Sequence, residues 1–271
     1  METFTVHSIG GIELEFVDFL GDNRLRHKIV YDKNNSDCIY CGEIADSREH
    51  VPSKVFLTRP FPDNLGIVPA CSKCNKSFSS DEIFLSILIE KLKSRYFYPN
   101  YEYSSEVKSR INYNKKIVSD IENKLQDNDV SCFDDRIQRM LFKLAVGHSV
   151  FEISEGYCIE KGTINYSFAS DMSFEEIEEF TLPFNISEEP LPEMGSRVYE
   201  RILIIEYTLQ SMENAGDFLV APLILLDWVD VQDCKYSYTC YRFGDEIIVK
   251  MVVNEFLYAT VVFDLNQEGI Y

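Results

Sequence analysis

Four of the eight cysteines stand as two Cys-x-x-Cys pairs, Cys38/Cys41 and Cys71/Cys74, with residues 42–70 between them. Each pair offers two thiolates at the separation a tetrahedral zinc ion needs, and four such ligands fill its shell. The spacing therefore predicts a structural Zn²⁺. A redox dithiol or an iron–sulfur cluster would use the same thiols, but neither accounts for the residues in between. A zinc closed by four thiolates has no open position, so it contributes folding energy and does not activate water. Catalysis, if there is any, needs another group. The segment between the pairs holds Glu49-His50 followed by Val51-Pro52. Taken alone, a His beside a Pro in a small zinc module is most often a packed edge residue or a cap.

Cys132, Cys158, Cys234 and Cys240 are scattered and read as buried structural thiols without a function. Residues 1–20 contain no Lys or Arg, so the basic start of a secretory signal is missing. The longest apolar run, residues 218–226, is interrupted by Pro222 and stopped by Asp227, too short for a membrane span. A cytoplasmic protein without a membrane partner is expected, and tightly paired thiols there favour metal over disulfides.

With 271 residues, 45% hydrophobic and 26% charged, the chain can bury a real core as one large domain or two small ones. Its formal net charge of −19 argues against a simple nucleic-acid binder. The charge is unevenly spread, however. Residues 24–95 hold 12 Lys and Arg against 9 Asp and Glu, whereas residues 96–271 hold 14 against 31. This split suits a nucleic-acid-facing module joined to an acidic partner-facing region, although a slight basic excess is also ordinary surface variation.

The elements that must position these residues follow from pattern. Residues 3–20, with Gly10-Gly11, predict a short hairpin. Residues 65–68 predict a short strand after the loop marked by Pro60, Pro62 and Asp63-Asn64. Ser79 or Ser80 is expected to start a helix that runs to Arg95, with Ile83, Leu85, Ile87, Leu88 and Leu92 as its apolar face. Asp81 and Glu82 then serve its N-terminal dipole, the alternative being a further metal ligand soon after Asn75. Residues 104–126 read as a solvated helix. Residues 134–150 read as a buried-face helix whose stripe ends in His148, a core histidine. Residues 184–196, rich in Pro and Glu, read as a linker or long loop. Residues 235–263 alternate like two or three antiparallel strands around Gly244-Asp245 and Asn254-Glu255.

The order Glu49-His50-Val51-Pro52, Asp63-Asn64-Leu65, Cys71-Ser72-Lys73-Cys74-Asn75 resembles the HNH endonuclease family in its zinc-stapled, treble-clef-like branch, over about residues 36–96. The resemblance implies an α+β fold. A ββα-metal module with N-terminal hairpin (residues 1–100) would carry the four-cysteine zinc. A helical segment and a C-terminal antiparallel β region would make up an acidic accessory region (residues 101–271). It further implies that His50 is the general base toward an attacking water, a task suited to its near-neutral pKa. Asn64 would orient His50, and Glu49 and Asn75 would hold a divalent ion, Mg²⁺ or Mn²⁺, through hard oxygen donors. Lys54, Lys73 and Lys76, with Arg59, lie near enough in sequence to meet phosphates, although ordinary exposed cations look the same. Two positions depart from the commonest pattern: Glu49 where many members have Asp, and Asn75 where the name-giving motif has His.

The resulting expectation is a metal-dependent endonuclease that hydrolyses phosphodiester bonds of DNA. It would nick one strand per site, or cut both as an oligomer or with a protein partner engaged by the acidic C-terminal region. Bacterial anti-phage defence or restriction is the expected setting by analogy. The competing expectations are a zinc-stabilised adaptor or binding protein without activity, and a nuclease that cuts RNA.

Overall fold

A computed structural model describes residues 3–9, 12–18, 37–63, 65–125, 130–155, 158–185, 198, 202–210 and 218–266. It is a mixed α+β structure, and among the described residues no helix is long and apolar enough to cross a membrane.

The cysteine module is a two-stranded antiparallel sheet followed by a long helix. Strand β3 (Ser47–Val51) pairs with β4 (Gly66–Ala70), with His50 opposite Ile67 and Glu49 opposite Val68. Helix α1 (Ser72–Tyr96) begins two residues after β4. This corrects the expected start at Ser79 or Ser80. The Cys71 sulfur accepts the Cys74 N–H at 3.3 Å and acts as the N-cap, so the second cysteine pair is itself the helix start. As a result Asp81 and Glu82 lie in mid-helix, too far from the N-terminus to serve its dipole. The apolar face behaves as its spacing predicts, with Leu85, Ile87, Leu88 and Leu92 buried and Phe84 and Ile89 beside them.

The polar stretch that follows forms two helices, α2 (Ser105–Tyr113) and α3 (Lys115–Lys124), broken at Asn114. Ser104 caps α2 by accepting the Val107 N–H. The central element is α4 (Asp134–Ile153), twelve of whose residues are buried. It packs against α1, β3 and β4 on one side and against the C-terminal sheet on the other. His148 is a core residue as expected. Its Nε2 lies 2.8 Å from the Tyr236 hydroxyl, and its ring stacks on Tyr238 at 3.8 Å.

The C-terminal antiparallel strands are present as predicted. Strands β9 (Val229–Gln232), β10 (Tyr236–Phe243), β11 (Glu246–Val253) and β12 (Leu257–Asp264) form one sheet with β5 (Thr163–Phe168), in the order β5-β12-β11-β10-β9. The hairpin turns sit where the sequence marks them. Gly244 joins β10 to β11 with φ +57°, and Asn254 and Glu255 join β11 to β12 with φ 60° and 52°. Tyr236, Tyr238 and Cys240 alternate toward α4, along with Ile247, Val249 and Met251 from β11.

The N-terminal hairpin also forms, β1 (Thr3–Ile9) against β2 (Ile12–Asp18), but it does not lead into the cysteine module by pairing with it. Strand β2 pairs with β7 (Ile202–Gln210), in a second sheet of order β1-β2-β7-β8-β6 completed by β8 (Phe218–Leu226) and β6 (Phe184–Asn185). Pro222 is tolerated in β8 because β6 pairs only with Leu225 and Leu226, leaving that side of Pro222 without a strand partner among the described residues. A short helix, α5 (Phe174–Thr181), is held by a capping box between Ser173 and Glu176. The expected linker at 184–196 begins as β6, and the rest of it lies outside the described residues. One apolar core runs from Ile39 and Val68 through α1 and α4 to Phe263, so packing continues across residue 100.

Candidate active site and metal centre

The first cysteine pair sits in a tight turn in which the Gly42 N–H donates to the Cys38 carbonyl at 2.9 Å and Cys38 N–H to the Glu43 carbonyl at 2.7 Å. Gly42 adopts φ +72°, the left-handed value that a residue with Cβ reaches only with strain. The second pair spans the end of β4 and the first turn of α1. Folding therefore joins a turn to a helix start, and the four sulfurs lie within 4.8 Å of one another. The Cys41 and Cys71 sulfurs are 3.7 Å apart. That matches the edge of a zinc–thiolate tetrahedron, about 3.8 Å for Zn–S bonds of about 2.3 Å, and is far longer than a disulfide. All four are free thiols. The Cys74 N–H and the neighbouring thiols lower the Cys71 pKa to about 7, whereas burial and those same thiols push the Cys74 thiol up, so one thiolate forms first in the crowded set. The residues fit a structural metal, and their chemistry matches zinc.

Of the scattered cysteines only Cys240 is fully buried, while Cys132 and Cys234 are exposed, which corrects the expectation that all four are buried. Cys158 backs the first knuckle: its N–H donates to the Ile39 carbonyl at 2.8 Å, and its sulfur lies 3.8 Å from the Cys38 carbonyl oxygen.

Strand alternation sends Glu49 and His50 to opposite faces of β3. His50 is half-buried. Its pKa is lowered, first by burial and then by the positive charge of Lys54, with Lys143 a smaller contributor; the Gly66 backbone opposes these. Its Nδ1 is buried and has no hydrogen-bond partner among the described residues. The imidazole is thus neutral near pH 7 and able to accept a proton. Asn64, expected to orient it, lies outside the described residues.

Glu49 turns inward and is 7% exposed, deep enough that its charge needs a partner. That partner is Lys143 of α4, 1% exposed in its side chain, whose Nζ donates to Glu49 Oε1 at 2.7 Å. The same ammonium donates to Glu82 Oε1 at 2.8 Å and to the Ser53 hydroxyl. Ser53 in turn donates to Glu49 Oε1 at 3.2 Å. The Tyr40 hydroxyl is buried without a hydrogen-bond partner among the described residues, and its pKa is pushed well up by burial and by the charges of Glu49 and Glu82.

Asn75 lies on the first turn of α1, where its amide nitrogen donates to the Arg48 carbonyl at 3.3 Å, with Ser47 Oγ at 3.5 Å. The polar contacts of Glu49 and of Asn75 therefore lead to different groups. As arranged, Glu49 does not fit the expected Mg²⁺ or Mn²⁺, because an ammonium already sits on its carboxylate; the Asn75 contacts engage its amide nitrogen and not the oxygen that would meet an ion.

Lys54, Lys73 and Lys76 are all exposed. Lys54 lies over the Phe61 ring at 5.3 Å, as does Arg59, and its charge acts on His50. Lys76 acts on Asp46, which accepts the Ser72 N–H beside the second knuckle. The cations that sequence reasoning missed are on α4. Arg136 and Arg139 bind Asp81, the former at 2.8 Å, while Lys143 binds Glu82. The signal was present: Lys143 stands between Leu141-Phe142 and Leu144-Ala145, and a lone charge on an apolar stripe calls for a buried partner.

No protein-family model, no curated protein and no solved structure matches the chain.

Proposed function

We propose that the protein is an endonuclease that hydrolyses phosphodiester bonds of DNA, with His50 as general base. The observation that carries this reading is the half-buried, neutral imidazole of His50, with Nδ1 unpartnered among the described residues and Lys54 beside it, on a hairpin that carries the four-cysteine cluster and is followed directly by a helix. In the proposed step a water attacks phosphorus, its proton passes to His50, and the bond to the 3′ oxygen breaks. Lys54 and, from the start of α1, Lys73 and Lys76 would meet backbone phosphates. The acidic remainder repels nucleic acid, so target choice would fall to a protein partner or a second copy, which a double-strand break would also require. A setting in bacterial anti-phage defence or restriction rests on the resemblance alone.

The test incubates purified protein with plasmid DNA, and separately with RNA, in Mg²⁺ or Mn²⁺, beside His50→Ala. Nicked plasmid from the parent and none from the variant is the expected result. Equal cleavage by both, or none by either, would sink the reading, and cleavage of RNA alone would move the substrate. A zinc-stabilised adaptor without activity is the second reading. It is favoured by the contact of Lys143 with Glu49, which occupies the carboxylate that the resemblance would give to an ion.

A further inference from the structure

We propose that the ammonium of Lys143 is itself the cation of this site: from α4 it fills the place between Glu49 and Glu82, and no divalent ion binds there while α4 is docked. The inference concerns the same site but does not require that His50 cut DNA.

An ammonium has three N–H donors, and here each has an acceptor: Glu49 at 2.7 Å, Glu82 at 2.8 Å, and Ser53. Two carboxylates, from β3 and α1, and a hydroxyl from the loop after β3 converge on one nitrogen. Such a set of hard oxygens is also what a small divalent ion would seek. Burial of Lys143 and Glu49 sets their contact apart from a surface ion pair, while Glu82 reaches the same nitrogen from a partly exposed position. The Phe78 ring centroid lies 5.9 Å from Nζ, and Tyr40 packs on Phe78 at 5.1 Å with its buried hydroxyl unpartnered among the described residues. The neighbouring guanidinium groups of Arg136 and Arg139 are engaged by Asp81 and do not compete for Glu49 or Glu82. An ion entering between the same oxygens would face the ammonium at contact distance in a medium that screens poorly, so the two occupants exclude each other.

Without Lys143, the buried carboxylate of Glu49, the partly exposed one of Glu82 and Ser53 would remain, and their unbalanced charge would draw in a cation. The test measures Mn²⁺ binding by calorimetry to the full-length, zinc-loaded chain, as parent, as Lys143→Met and as Lys143→Met with Glu49→Gln. Zinc content and circular dichroism report folding. The parent should show no Mn²⁺ binding that Glu49→Gln removes. Lys143→Met should bind one Mn²⁺ at least about tenfold more tightly than the double variant. Glu49-dependent Mn²⁺ binding in the parent, or a folded Lys143→Met that binds none, would overturn the proposal. If Lys143→Met does not fold, the parent decides by ¹⁵N-lysine NMR. A slowly exchanging Lys143 ammonium signal that Mn²⁺ leaves sharp supports the proposal, whereas no such signal, or one that Mn²⁺ broadens in a Glu49-dependent way, refutes it. Cleavage is not a readout here, so failure of this inference is distinct from failure of the nuclease reading.

Discussion

The cysteine cluster and the cluster around Lys143 both gather ligands at the β3–β4 hairpin, yet they are assembled differently. The first takes its four groups from two short local turns, and the intervening chain only has to return Cys71 to Cys38. The second takes Glu49 from β3, Glu82 from α1 and its cation from α4, more than ninety residues away from Glu49. A set of sulfurs spaced for a tetrahedron waits for an external ion, whereas the oxygen set has received an internal one. Nearness of charged groups alone does not identify a metal site; what matters is whether the chain supplies its own counter-charge.

The widest separation between the two clusters should appear on removal of a cysteine. Cys71→Ser should lose the metal held by the four-cysteine group and the cooperative thermal transition, since a structural Zn²⁺ supplies on the order of 10 kcal/mol to small metal-held modules. Elemental analysis together with a melt would check this, and a variant that melts like the parent would remove the structural role of the metal.

Next comes the internal cation. Lys143→Ala leaves Glu49 buried without its counter-charge and should cost about 3–5 kcal/mol in urea denaturation. Adding Glu49→Gln and Glu82→Gln should recover part of that loss. An unchanged midpoint for Lys143→Ala would mean that the ion pair carries no stability.

A smaller effect is expected from pH. Burial and Lys54 hold the His50 pKa below the ordinary 6.5, so the imidazole proposed as the base is already neutral at pH 7. DNA cleavage should then be flat above pH 7 and fall as pH drops through that lowered pKa, by about tenfold per unit once His50 is mostly protonated. A decline that sets in well above pH 7 would point to a different base.

The smallest effect belongs to Asn75, which sits next to Cys74 and reaches β3 through the Arg48 carbonyl. Asn75→Ala should lower stability by about 1 kcal/mol with zinc retained. If it abolishes cleavage while leaving the melt unchanged, its amide serves the reaction more than the link between the two clusters.

Much was legible along the chain because it depends on local geometry. Paired cysteines mark their own turns, alternation and the Asn254-Glu255 pair mark the last three strands, and a 3.6-residue stripe marks α4 with His148 in its core. Even the helix start was encoded, but Cys71 was read as a ligand and not as an N-cap, which displaced the predicted start and misassigned Asp81 and Glu82. What no local pattern could supply is which charge meets which. That Glu49 faces inward while its neighbour His50 lies at the other face, and that Lys143 rather than Asn75 answers Glu49, depends on how α4 docks between the hairpin and the C-terminal sheet. Periodicity assigns a residue to a face, but only packing brings two distant faces together, and a buried charge takes whichever partner that packing delivers.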